Sequence, residues 1–229
     1  MRYFIELAYR GTNYHGWQIQ PNAVTVQSKL EEALSVILRE DISVIGAGRT
    51  DTGVHASYFV AHFDTKKPVN DEMVYKLNGY LPPDITVYDV RCVSKDAHAR
   101  FDALSRTYRY LIVQKKHPFA KGLTTFIPYE INVDRLNEAS TMLLNFSDFT
   151  TFSKLHSTNK TNLCRIDAAT WTTNKGFLIF TITADRFLRN MVRSVVGTLL
   201  EAGRGKITPG EFSAIIESRD RSGAGTSAP

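Results

Sequence analysis

The stretch Thr25-Val26-Gln27-Ser28-Lys29-Leu30-Glu31-Glu32-Ala33-Leu34-Ser35-Val36-Ile37 decides how the first half of the chain is read. Val26, Leu30, Ala33, Leu34 and Ile37 fall on one face at helical spacing, and Thr25 stands where an N-cap belongs. Toward the N-terminus, residues 2–9 have a strand pattern and residues 11–25 form a Gly/Asn-rich loop. Toward the C-terminus, residues 42–47 and 58–63 read as apolar strands. Asn70 or Asp71 is placed to cap a second helix through Leu77, with Gly79 and the Pro82-Pro83 pair to end it. Residues 85–93 are β-branched and strand-like. The order is strand, helix, strand, strand, helix, strand.

The second half repeats the theme without obvious sequence identity. Residues 107–114 read as a strand and 133–144 as a helix led by Asn132 or Asp134. Residues 165–173 and 177–183 are strands around a turn at Asn174-Lys175-Gly176. Residues 187–202 predict a strong helix, with Leu188, Met191, Val192, Val195, Val196, Leu199 and Leu200 in one stripe. The economical fold class is α+β, built from two split βαβ (ferredoxin-like) halves with antiparallel sheets. The expected division is 1–98 and 99–229, with no long linker and the halves tightly packed.

Composition sets outer limits. The chain has 229 residues, 43% of them hydrophobic and 22% charged, an ordinary globular balance that leaves out disordered, coiled-coil and collagen classes. No apolar run reaches the roughly 18 residues of a membrane span, and Glu6 interrupts the first apolar stretch, so a secretory signal is not expected. Cys92 and Cys164 lie far apart with no metal-ligand spacing, which argues for a reducing, cytoplasmic setting and against a zinc module. The net charge of +5 is unevenly spread. Residues 100–121 hold six basic residues and one acid, and residues 160–206 hold eight and three. A basic second half suits a polyanion, because each phosphate engaged releases counterions. A solvated Lys/Arg face on an unrelated enzyme would look the same.

Three constellations could carry chemistry. In Gly46-Ala47-Gly48-Arg49-Thr50-Asp51-Thr52-Gly53-Val54-His55-Ala56 an acid and an arginine share a glycine-rich turn, where backbone can approach a ligand closely. A plain Asx turn is the structural alternative. A phosphate loop is disfavoured, since no Gly-Lys-Ser/Thr follows. Asp51-Thr52-Gly53 matches the short aspartic-protease signature, but the chain has no second Asp-Thr/Ser-Gly to share the proton. A lone ionised aspartate, held by a neighbouring cation, is the remaining reading. In the second constellation, Ser105-Arg106-Thr107-Tyr108-Arg109-Tyr110, Arg106, Tyr108 and Tyr110 are in phase on a strand. That arrangement suits stacking on an everted base, or the filling of a sheet face. In the third, Arg186, Arg189 and Arg193 would form one helical ridge continued by Gly197, which leaves room for a close neighbour. Tyr14, His15 and Trp17 form either a binding loop or a satellite cluster. His55 and His62 lack a third metal ligand, and Trp171 reads as sheet packing.

Taken in order, these stretches resemble the tRNA pseudouridine synthase A family over nearly the whole chain. The matching segments begin with Tyr9-Arg10-Gly11-Thr12-Asn13-Tyr14-His15-Gly16-Trp17-Gln18, Thr25-Val26-Gln27 and residues 46–56. Phe63-Asp64, Asn78-Gly79-Tyr80-Leu81-Pro82 and His98-Ala99-Arg100-Phe101-Asp102-Ala103 follow. The later ones are residues 107–110, Asp148-Phe149-Thr150-Thr151-Phe152 and residues 187–197. The resemblance implies isomerisation of uridine to pseudouridine at positions 38, 39 and 40 of the tRNA anticodon arm. It also implies a homodimer, a pseudo-symmetric pairing of two RRM-like halves with helices on one face and a basic cleft on the other, and no cofactor or metal. By position, Asp51 matches the catalytic aspartate, Tyr108 the tyrosine that stacks on the target base, Arg49 the arginine associated with nucleotide flipping, and Arg193 the basic partner of the aspartate. Thr50, His55, Arg106 and Arg189 complete the expected substrate-binding set. One departure is visible: the sequence ends at Ala224-Gly225-Thr226-Ser227-Ala228-Pro229, where the family continues into a last strand, so an open sheet edge and a frayed terminus are expected.

Overall fold

The computed structural model describes residues 1–154 and 160–229. The chain divides into two compact units, Met1–Ala103 and Leu104–Pro229. Residues 99–103 fall with the first unit, five residues beyond the junction expected from sequence. Hydrogen bonds hold them there: His62 Nδ1 accepts the Ala99 N–H at 3.2 Å, and His98 Nδ1 accepts those of Arg100 and Phe101.

The first unit runs β1 (Arg2–Tyr9), α1 (Val26–Leu38), β2 (Val44–Gly46), β3 (Ala56–Asp64), α2 (Met73–Tyr80) and β4 (Ile85–Val93). Its sheet has the order β2-β3-β1-β4 with every pairing antiparallel. Strand β1 alternates strictly, burying Tyr3, Ile5, Leu7 and Tyr9. These pack with Val26, Leu30, Ala33 and Leu34 of α1 and Met73 and Leu77 of α2, so both helices cover one face of the sheet. Thr25 caps α1 in a reciprocal capping box with Ser28. Helix α2 departs from expectation. It starts at Met73 without a side-chain cap and runs through Gly79. What stops it is the proline pair, because Pro82 restricts Leu81 to the extended conformation seen there.

The second unit runs β5 (Arg106–Val113), β6 (Thr125–Phe126), α3 (Val133–Met142), β7 (Ile166–Asn174), β8 (Phe177–Ala184), α4 (Met191–Gly203) and α5 (Pro209–Glu217). Its sheet order is β6-β5-β8-β7. The hairpin between β7 and β8 turns through Lys175 and Gly176, both at positive φ, as a type I′ turn demands. Strand β6 pairs parallel to β5 over two residues, so this sheet is not wholly antiparallel as expected. Neither β6 nor α5 was anticipated. Helix α5 carries a legible signal in Thr208-Pro209-Gly210-Glu211, a capping box with proline at the first helical position. Trp171 packs on Phe180 at 4.8 Å and donates to Ser140. Among the described residues no helix is long and apolar enough to cross a membrane.

Candidate active site

The loop between β2 and β3 carries Arg49, Thr50, Asp51 and His55, and the segment following β1 is stitched to it. Tyr9, the last buried residue of β1, places its hydroxyl 3.0 Å from the Thr50 hydroxyl. The Gly11 N–H donates to His55 Nδ1 at 3.0 Å, which leaves the ring proton on Nε2. The Trp17 N–H donates to the Thr50 carbonyl and the Gly53 N–H to the Tyr14 carbonyl, each at 3.3 Å. These bonds fall on both sides of Asp51. Two glycines allow so close an approach. A Cβ on Gly11 would stand 2.0 Å from the Val54 oxygen, and one on Gly16, whose φ is +87°, would stand 2.2 Å from the Thr50 oxygen.

The clamping segment is itself anchored by Asp84, just ahead of β4. Its carbonyl accepts the Arg10 N–H at 2.8 Å, and its carboxylate accepts from Asn13 Nδ2 and the Tyr14 hydroxyl. Burial, reinforced by this carboxylate, pushes the Tyr14 hydroxyl well above the ordinary tyrosine range, so it stays a donor. Trp17 lies against Phe59 with ring centroids 4.3 Å apart. Tyr14 and Trp17 therefore belong to the core, which decides for the satellite cluster, while His15 is exposed. Asp84 and Tyr9 were not singled out from sequence, because nothing local marks an aspartate whose partners lie 70 residues away. On this scaffold Arg49 is exposed, and Asp51, Thr50 and His55 are half-buried. Thr50 and His55 turn their side chains to the clamp through the bonds just given.

The second unit carries the remaining expected residues. Arg106, Tyr108 and Tyr110 are in phase on β5 and half-buried, while Thr107 and Arg109 are exposed. The Tyr108 ring meets Phe187 edge to face at 5.1 Å, and Arg106 Nη1 donates to the Asp185 carbonyl at 2.8 Å. Both thus rest on the segment joining β8 to α4. The expected arginine ridge does not form. Helix α4 starts at Met191, not at 187, because Asn190 is left-handed with φ 64° and the Met191 N–H closes a turn onto Leu188. Arg186 and Arg189 therefore precede the helix, and Arg193 alone of the three lies on it.

Arg193 Nε donates to the Ala228 carbonyl at 2.7 Å, and its own carbonyl accepts the Ala228 N–H at 2.9 Å. The close neighbour expected at Gly197 is this same segment: a Cβ there would stand 1.9 Å from the Thr226 oxygen. Asn190 donates to Ser227, the Gly225 N–H to Thr198, and the Tyr110 hydroxyl to the Pro229 carbonyl. Residues 225–228 are thus docked on α4, and fraying is not observed. Burial pushes the Tyr110 hydroxyl up, with Thr125 and the Arg193 charge opposing. Among the described residues, no group of three or more His, Cys, Asp or Glu side chains is disposed to hold a metal ion.

One four-stranded α+β unit carries an arginine and an aspartate on a braced loop, and a second carries a strand tyrosine among arginines. The sequence profile of tRNA pseudouridine synthase matches residues 7–102 and 139–229, and the chain belongs to that isomerase family. Its full-length likeness is to proteins named tRNA pseudouridine synthase A. That of Bacteroides thetaiotaomicron is 57% identical, over 100% of this chain and 86% of the relative. That of Parabacteroides distasonis is 52% identical, over 100% and 91%, and that of Bacillus subtilis 39%, over 100% and 95%.

Proposed function

We propose that this chain isomerises uridine to pseudouridine at positions 38, 39 and 40 of the tRNA anticodon arm, with Asp51 as its catalytic residue. The observation that carries the reading is the bracing of the Asp51 loop by main-chain bonds on both sides of the aspartate, Trp17 N–H to the Thr50 carbonyl and Gly53 N–H to the Tyr14 carbonyl. Preorganised charge acts on a transition state without reorganising at the moment of reaction. The reaction breaks the N1–C1′ bond, turns the uracil, joins C5 to C1′ and moves the C5 proton to N1. Atoms and electrons balance within the nucleotide, so no cofactor has a task. One ionised carboxylate is required, whether it bonds C1′, takes a proton from C2′ or acts on the base.

The other residues follow from the same chemistry. Everting a base costs a few kcal/mol. A ring stacked on the base, Tyr108, and a cation filling the vacated stack, Arg49, offset that cost. Arg193 is the further basic residue of the set, which Thr50, His55, Arg106 and Arg189 complete. Each unit is a ferredoxin-like half, and the enzyme works as a cytoplasmic homodimer; the concentration of basic residues in the second half supports a polyanionic substrate.

The test is Asp51→Asn assayed on a tRNA transcript with anticodon-arm uridines, by tritium release and by carbodiimide labelling of pseudouridine. The expected outcome is retained tRNA binding with pseudouridine formation abolished. Turnover by the Asn variant would remove Asp51 from the chemistry.

A further inference from the structure

The end of the second sheet remote from Tyr108 carries a cluster that the catalytic reading does not use. Strand β5 leaves the sheet at Val113 and runs through Gln114-Lys115-Lys116-His117-Pro118-Phe119-Ala120-Lys121-Gly122-Leu123 before β6. Every residue from 114 to 123 except Ala120 is exposed, and Phe119 is 93% exposed. This is a built turn. The Ala120 N–H donates to the His117 carbonyl at 3.1 Å, the Leu123 N–H to the Ala120 carbonyl at 3.0 Å, and Ala120 is the buried anchor. The His117 ring rests on Phe177 with centroids 5.3 Å apart.

Register adds a further charge. Val113 pairs with Phe177, so the β7–β8 turn with exposed Lys175 lies at the same sheet end. Lys115, Lys116, Lys121 and Lys175 are gathered there, and residues 103–129 and 168–184 contain no acid. We infer that this end is a second RNA contact, in which Phe119 stacks on an unpaired base while the lysines engage the flanking phosphates. The inference rests on the proposed tRNA substrate and deepens it. A polyanion with flat π faces satisfies both features, whereas an acidic protein or an anionic lipid surface matches the charge alone. A second copy of the chain would set four lysines against four across a two-fold axis. From Tyr108 to Lys115 the strand spans about 23 Å, so the bound nucleotide is distant from the reacting uridine.

The test measures binding of a full-length tRNA transcript by filter retention across a KCl series. Phe119→Ala is expected to weaken binding about 5- to 150-fold, the span of one base stack, with Phe119→Trp restoring it. Lys115→Gln with Lys116→Gln and Lys175→Gln is expected to flatten the salt slope by about 2. All four sites are exposed, and a thermal melt checks folding. Wild-type affinity and slope in these variants would overturn the inference. So would a loss of self-association in sedimentation, or of binding to phosphatidylserine vesicles, with tRNA affinity intact. Since filter retention needs no turnover, failure of this contact is separable from failure of the catalytic assignment, which Asp51→Asn reports.

Discussion

Gly11→Ala puts the bracing argument at greatest risk. One methyl group added at Gly11 would stand 2.0 Å from the Val54 oxygen and 2.7 Å from its carbonyl carbon, both backbone atoms with no rotamer to escape into. Real Cβ contacts essentially never fall below 3.0 Å, so the two segments must part by at least about 1 Å. The part that yields is residues 50–55, because Gly11 follows β1 directly and is held on its other side through Arg10 and Asp84. A misplacement of about 1 Å in a catalytic group costs on the order of 100-fold in rate, and overpacking costs about 1–3 kcal/mol of stability. Gly48→Ala is the matched control, since a Cβ there meets nothing within 4 Å. Single-turnover pseudouridine formation at saturating enzyme is the measurement. The expected result is a rate loss of about two orders of magnitude for Gly11→Ala and near-parent rates for Gly48→Ala. A folded Gly11→Ala protein with the parent rate would show that the bracing does not position Asp51.

Further outcomes follow from other contacts. Tyr14→Phe deletes the hydroxyl that donates to the Asp84 carboxylate, and should cost about 1–2 kcal/mol in urea unfolding together with a fall in kcat; stability loss at unchanged kcat would separate Asp84 from the catalytic loop. Gly197→Ala forces residues 225–228 off α4, and amide exchange at Ala228 should accelerate at least tenfold while the strand amides of β1 stay protected. His62 is buried and its affinity for a proton is lowered, first by burial and then by the Arg2 and His98 charges. Its unfolded form therefore takes up a proton before its folded form does, and stability should fall as pH drops from about 7 through the ordinary histidine range. Protonation of Nδ1 would also remove the acceptor of the Ala99 N–H. His62→Gln should flatten the decline between pH 7.5 and 5.5 in urea midpoints, and an equal decline in both proteins would assign it to other groups.

These perturbations also show which layer of the molecule is written locally. Helix α1 was legible because five apolar positions and a capping threonine lie within one short segment, and β4 because five of its nine residues are β-branched. Helix α4 starts later than its periodicity implies: Leu188 continues the apolar stripe, whereas the boundary is set by one left-handed asparagine that periodicity does not report. The two-residue β6 lacks the length to show a period. The candidate residues were visible as types, an aspartate beside an arginine and a tyrosine in phase with another arginine, while the clamp around Asp51 was not. Its partners are mostly backbone atoms, which every residue possesses. What the sequence does record is the exception such contacts require, a residue without a Cβ. Gly11 and Gly16 admit the carbonyls of Val54 and Thr50, and Gly197 admits that of Thr226. In each unit, therefore, a segment bearing or touching a proposed active-site residue is fixed by main chain against glycine. That predicts different tolerances: polar neighbours such as Thr52 can be exchanged with little effect on turnover, whereas alanine at Gly11 or Gly16 disables an enzyme whose Arg49, Asp51 and Tyr108 are all still present.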